Sequence, residues 1–306
     1  MAPNPETRLI SGSEVKAFQE CQMQWWFKFR LGIAPKKLSD ALFIGTVGHI
    51  ALSDLYTEFG SGGSVESALQ KMRDRLAKEM DKNNQHMVTG FINPLIASGR
   101  MDLISQLMII LEEYVEYYAK EDFEKYEVVE VEHMYTSDRF FALRLDLLMR
   151  NLDSGELEVW DHKFVSKFYG EKLLKINTQL PLYMRVVIGN REEKISRGIL
   201  NQLKKKQTKE EVAKDLPRFR RDPIPYNEIV TVKRLQDQQS VADKIRDNYR
   251  MPFKDSRKPI IRTLNDHTCE FCSFFELCIL DLENREAELR ALTSAKFERS
   301  TYGYNN

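Results

Sequence analysis

Residues 140–164, FFALRLDLLMRNLDSGELEVWDHKF, decide how this chain is read. Two apolar runs, 140–150 and 156–164, flank NLDSG at 151–155, whose Asn, Asp, Ser and Gly carry turn chemistry. The stretch therefore predicts an antiparallel hairpin. In the second run Asp161 and Lys163 are two apart, so on a strand they share one face while His162 takes the other. Asp146, in the first run, can then stand beside Asp161. Two carboxylates and an ammonium on one face of an apolar hairpin are costly to bury without a purpose. A divalent cation would relieve the carboxylate repulsion, and the lysine would orient a water or stabilise developing negative charge. An ordinary cross-strand salt bridge also explains D-x-K alone; the apolar flanks LRLDLL and LEVWDHKF favour a site.

Outward from the hairpin, EVVEVEHMYT (127–136) alternates as a strand does, which makes a three-stranded antiparallel meander. A helix follows at 171–189, with Gln179 and Tyr183 at i and i+4 on one face and Pro181 near its start. KISRGILNQL (194–203) gives a fourth strand. Upstream, 41–59 reads as a helix entered through two glycines and carrying His49, with further helices at 64–82 and 101–122. The stretch 83–100 holds Asn, Gly and Pro and reads as a loop. Residues 13–31 read as a helix capped by Ser11 or Ser13, with Trp25 and Trp26 in its core-facing set. Polar helices are expected at 226–250 and 281–298. Residues 204–225, charged and proline-bearing, read as an exposed excursion. Its first part, 204–221, sets Lys204, Lys205, Lys206, Lys209, Lys214, Arg218, Arg220 and Arg221 against three acids. That is either a solvated loop or a contact for a nucleic-acid backbone.

The 306 residues carry 46 basic and 46 acidic side chains, so no global field draws polyanions and any such binding must be local. The start, MAPNPETRLISG, has no apolar core of a secretory signal, and the longest apolar runs, such as LMIIL at 107–111, are too short to span a bilayer. The expectation is a cytosolic protein without membrane contact, where disulfides are rare. The four cysteines are Cys21 and the C-x2-C-x5-C cluster Cys269, Cys272 and Cys278. With none to spare, they suggest one four-thiolate metal centre that clasps two distant parts of the chain. On the residues alone, an iron–sulfur cluster, zinc and unligated thiols all stay open.

Taken in order, these elements resemble a RecB-like nuclease of the PD-(D/E)XK superfamily. GTVGH, ending in His49, matches the family's early G-x-x-x-H-type motif. Asp146 matches its strand aspartate, Asp161 and Lys163 its D-x-K pair, and Gln179 and Tyr183 its Q-x-x-x-Y motif. The one-plus-three cysteines and the leading SGSEVKAFQECQMQWWF resemble the iron–sulfur subset, which includes CRISPR-associated and AddB-type exonucleases. Two positions depart from the pattern: Leu143 where glycine is frequent, and Gln22 where proline often follows the first cysteine.

The resemblance implies an α/β (α+β) fold with a restriction-endonuclease-like core, a mixed sheet flanked by helices. A helical insertion and an N/C-terminal subdomain stapled by a [4Fe–4S] cluster would complete it. One integrated nuclease domain would divide into 1–35, carrying the first cluster cysteine; 36–126, a helical region with the motif histidine; 127–203, the nuclease core; 204–250, the basic excursion and helix; and 251–306, the cysteine cluster and last helix. His49, Asp146, Asp161 and the backbone carbonyl of His162 would ligate Mg2+ or Mn2+. Lys163 would position or activate the attacking water, and Gln179 and Tyr183 would contact DNA or order the site. Cys21, Cys269, Cys272 and Cys278 would hold the cluster. Lys204, Lys205, Lys206, Arg218, Arg220 and Arg221 would meet DNA. The implied reaction is hydrolysis of DNA phosphodiesters by an exonuclease acting on single strands or ends, in recombination, repair, phage DNA processing or CRISPR adaptation. The alternative is a nuclease-fold DNA-binding or assembly subunit with little activity. The chain has no G-x-x-x-x-G-K-[ST] loop, so a helicase, like a CRISPR adaptation protein, would be a partner.

Overall fold

The turn at 151–155 closes as its residues dictate. The Asn151 side chain accepts from the backbone N–H of Asp153 and Ser154 at 3.0 and 3.1 Å, and Gly155 supplies a φ of +72°. A computed structural model of the chain describes residues 8–37, 39–88, 94–137 and 141–300. These fall into two compact units. One joins 39–135 to 144–231; the other gathers 1–38, 136–143 and 232–306.

The first unit is built on a five-stranded sheet. Its order is Tyr126–Val131, Leu147–Asn151, Leu157–Val165, Ile195–Lys204 and Phe219–Pro225. The first three strands form the antiparallel meander. Leu157–Val165 and Ile195–Lys204 run parallel, and Phe219–Pro225 returns antiparallel. The parallel pair requires a crossover, and helix Gln179–Asn190 lies in that connection. Leu147, Leu148, Met149, Leu157, Val159 and Trp160 are all fully buried, which means both faces of the sheet are covered. Helix Asp40–Gly60 takes the face of His162 and Phe164, where Tyr56 stacks on the His162 ring. Helix Gln179–Asn190 takes the face of Asp161 and Lys163, with Leu180 seated on Gly198. The fold is thus the mixed α/β arrangement expected from the sequence.

Several expectations about elements need correction, among them the helix at 281–298, which is the end of Phe275–Leu282, then Glu286–Lys296, then the strand Phe297–Arg299. The run 140–150 is two strands, Phe141–Arg144 and Leu147–Asn151, interrupted at Leu145 and Asp146. The run 127–136 likewise breaks into Tyr126–Val131 and Met134–Ser137. The helix at 171–189 is a short helix, Glu171–Lys175, followed by Gln179–Asn190. The stretch 83–100 is mostly helical: Val65–Val88 continues through it and Pro94 opens Pro94–Lys125, a position where its missing N–H costs nothing. Residues 89–93 lie outside the described residues.

In the second unit, Ser11 caps helix Gly12–Glu20 by accepting from Glu14 N–H. Cys21 then breaks the helix with extended backbone angles before Gln22–Trp25 and a π-helical turn, Trp26–Arg30. Trp25 and Trp26 are core residues, 0% and 5% exposed. Protein contacts join early and late segments. Strand Ile33–Pro35 pairs antiparallel with Phe297–Arg299, Phe27 stacks on Phe274, and the Gln22 side chain accepts from Ile261 N–H at 3.1 Å. No helix among the described residues is long and apolar enough to cross a membrane.

Candidate active site

Asp146 occupies the break between its two strands. The register Leu147↔Trp160 brings the next residue, Asp146, level with Asp161. One Asp146 carboxylate oxygen, Oδ2, accepts from the backbone N–H of His162 at 2.7 Å and lies 3.4 Å from Nδ1 of His49. His49 reaches this point because its helix runs close to the sheet. A Cβ on Gly48 would collide with the Phe164 ring, so the second glycine of GTVGH is what the close approach needs. Gly45 has open space beside it and carries no such requirement.

Beside Asp146, the Lys163 ammonium lies 2.7 Å from Asp161 oxygens. Gln179 donates from its amide to Asp161 Oδ1 at 3.0 Å and to the Tyr183 hydroxyl at 2.8 Å. Asp161 has no exposed surface, and the Lys163 ammonium stands 2.7 Å from each of its oxygens. The structure therefore brings His49, Asp146, Asp161, Lys163, Gln179 and Tyr183 into one constellation. His162 contributes its backbone here while its ring turns away. The ring stacks on Tyr56, and the Asn201 amide, donating at 2.8 Å, makes Nδ1 the acceptor.

The electrostatics are uneven. Burial raises the Asp161 carboxyl above the usual range; Lys163 pulls against that and the Asp146 charge adds to it. Burial also opposes ionisation of Asp146, but the His49 hydrogen bond and the neighbouring positive groups hold it down at about 2. Burial works against a charged His49, yet the Asp146 hydrogen bond and charge outweigh it and the imidazole is shifted up. Burial likewise disfavours the Lys163 ammonium, and the charges of Asp161 and Asp146 more than restore it. The His162 ring, buried, is pushed down to about 3 and is neutral.

Glu132 also belongs here, and the sequence reading missed it. Ligand atoms of His49, Glu132 and Asp146 lie within 4.8 Å of one another. The only hint was two consecutive polar residues, Glu132 and His133, between two β-rich runs. The donor set of an imidazole and two carboxylates, with Asp161 beside Asp146, fits a hard divalent cation.

The basic stretch is not an exposed excursion. Lys204 ends a central strand, is buried, and pairs with Glu211 at 2.6 Å. Arg218 pairs with Glu113 at 2.6 Å and Arg220 with Asp222 at 2.8 Å. Arg221, on the edge strand Phe219–Pro225, pairs through both terminal nitrogens with Asp122 and lies 3.6 Å from the Tyr118 ring centroid. The sequence reading counted only the acids within 204–221. The partners Glu113, Asp122 and Asp222 lie outside that window. Lys206 remains exposed, and Lys205 is half-buried.

In the second unit, Cys21, Cys269, Cys272 and Cys278 line one pocket whose walls include Met23, Phe27, Leu264 and Phe274. All four are free thiols. Burial pushes the Cys272 thiol up, and the other three cysteines add to it. Burial also raises Cys278, against a hydrogen bond to Arg262. Such mutual thiolate repulsion is what a bound metal cation relieves, so the donor set fits a four-thiolate centre.

The family model for the PD-(D/E)XK nuclease superfamily matches residues 9–279. The chain belongs to that superfamily. Its members are nucleases, generally metal-dependent, and this PD-(D/E)XK chain brings a D-x-K pair, a facing aspartate and a histidine to one site. No curated protein matches the chain. The crystal structure of SSO0001 aligns with 63% of this chain and 78% of its own, at 18% identity and a TM-score of 0.28, a likeness too loose to build on.

Proposed function

We propose that the chain is a RecB-like DNA exonuclease, hydrolysing phosphodiesters on single strands or ends, in recombination, repair, phage DNA processing or CRISPR adaptation. The observation that carries the chemistry is the buried D-x-K pair: Asp161, fully buried, is tied by Gln179 and Lys163, with Asp146 level with it and His49 against Asp146. His49, Asp146, Asp161 and the His162 carbonyl would hold Mg2+ or Mn2+. Such a cation supplies Lewis-acid polarisation of a phosphoryl oxygen and a water of lowered pKa. The chain's own groups divide the remaining work. Lys163, held charged by two carboxylates, is a poor proton acceptor at neutral pH. It acts by orienting a water or by countering negative charge that develops on phosphate oxygens. Gln179 fixes the rotamer of Asp161, and Tyr183, held by Gln179, borders the place where DNA would lie.

The test is digestion of end-labelled single- and double-stranded DNA with Mn2+, against an EDTA control. Mononucleotide or short-oligonucleotide release from one end supports the reading. Internal cuts in a circular single strand would make the chain an endonuclease instead, and inert DNA would sink the enzymatic reading.

The same reading assigns Cys21, Cys269, Cys272 and Cys278 to a [4Fe–4S] cluster, supported by the shared pocket and the one-plus-three spacing. Anaerobically purified protein is expected to be brown and to lose its colour on Cys272→Ala. A colourless folded protein with stoichiometric zinc refutes the cluster. A helicase or a CRISPR adaptation protein is the proposed partner of such a nuclease.

A further inference from the structure

The metal reading given above leaves Glu132 without a role, and its placement is unusual in three respects. It adopts a φ of +50°, one of three non-glycine residues among those described with a positive φ. A glutamate gains nothing from that region, and such residues gather at functional sites. The strained backbone is pinned to the site: Glu132 N–H donates to the Asp146 carbonyl at 3.0 Å, and Leu145 N–H donates to His133 at 2.9 Å. The carboxylate itself is poorly served. Among the described residues its ion pair is with Arg144 at 3.8 Å, too long for a hydrogen bond, and the Arg144 side chain is 61% exposed. Yet the Glu132 carboxylate lies with His49 and Asp146 inside 4.8 Å. Ligands of one hard cation at about 2.0–2.6 Å necessarily fall within about twice that distance of each other.

Charge points the same way. Glu132 and Asp146 bring two carboxylates to His49, and Asp161, level with Asp146, is paired with Lys163. Arg144, largely in water, offsets little. A divalent cation would offset the negative charge gathered there.

We propose that Glu132 is a further ligand of the divalent cation, so that this chain holds it with an imidazole and three carboxylates. The proposal rests on the assignment of His49, Asp146 and Asp161 as the metal site. It differs from the competing reading, in which Glu132 merely pairs with Arg144 on the surface.

The experiment is Mn2+ binding to the full, metal-free chain without nucleic acid, followed by the loss of the free-Mn2+ paramagnetic resonance signal. The proteins are wild type, Glu132→Gln, Glu132→Asp, Asp161→Asn and Arg144→Gln, each checked by thermal melting. Loss of a ligating group is expected to weaken Mn2+ binding by at least about tenfold in Glu132→Gln and in Asp161→Asn. Glu132→Asp, which keeps the carboxylate but withdraws it, is expected to fall between, and stands in if Glu132→Gln does not fold. Arg144→Gln is expected to bind as well as wild type or better. Wild-type affinity in Glu132→Gln, or in a folded Glu132→Asp if that variant alone folds, overturns the role of Glu132 while a weakened Asp161→Asn keeps the underlying metal site. Equal weakening in Arg144→Gln and Glu132→Gln favours the plain ion pair and also overturns it. Absence of Mn2+ binding in wild type removes both assignments together.

Discussion

Two buried carboxylates lie on opposite sides of strand Leu157–Val165, and the protein treats them differently. Asp122, on the side that His162 faces, receives Arg221 through both terminal nitrogens and the Tyr56 hydroxyl at 3.0 Å. Tyr114 continues the set: its hydroxyl meets Tyr56, Arg221 and the Asn201 amide, which in turn meets His162. One guanidinium balances one carboxylate there. Some atoms of the set, Arg221 Nε and Asn201 Oδ1, have no partner, but both Asp122 oxygens do. Asp161, on the other side, is paired with the Lys163 ammonium, but Asp146 stands beside it and Glu132 joins Asp146 at His49, so several carboxylates crowd there. The same residue type is structural where one cation matches one carboxylate and suited to chemistry where further carboxylates gather beside it.

That contrast can be broken by experiment. Breaking the rear pair with Arg221→Leu leaves Asp122 buried and unpaired and should cost about 3–5 kcal/mol of folding stability. Denaturant melts measure it, and the fraction still folded should cleave DNA at the wild-type rate. A large loss of cleavage in folded Arg221→Leu would make the two sides one functional unit. In the front pair the loss should fall on cleavage. Lys163→Ala should lose about 10²–10³-fold in turnover, measured per folded molecule, as loss of a single charge-stabilising group does elsewhere. Retained cleavage would remove Lys163 from the chemistry. The smallest effect concerns the remaining surface cations. Lys205→Ala with Lys206→Ala should lower the log–log slope of DNA affinity against salt by about 0.7–0.9 for each phosphate that the protein no longer neutralises. Parallel lines of equal affinity would show that this stretch does not touch DNA.

The site was readable wherever spacing alone implies proximity. Asp161 and Lys163 two apart on a strand, and Gln179 and Tyr183 four apart on a helix, can only share a face, and they do. The glycines before His49 were legible only as a helix entry, and the Phe164 ring shows why Gly48 is needed. Glu132 escaped because a lone glutamate at a strand end has no periodicity to betray it. The basic run misled for a related reason. Local composition counts charges but not their partners, and Lys204, Arg218, Arg220 and Arg221 each find an acid through the fold.

By itself the sequence determined the meander, its turn at 151–155, the helix that carries Gln179 and Tyr183, and the candidates for the site. Those depend on side-chain period and turn preference, which act over a few residues. Tertiary structure decided the break at Asp146 that lets one carboxylate meet His49 and the His162 N–H. It also decided the arrival of Glu132 and the sorting of Asp161 from Asp122. Those outcomes depend on which charges face each other across strands distant in the chain, and burial sets how much each unanswered charge costs.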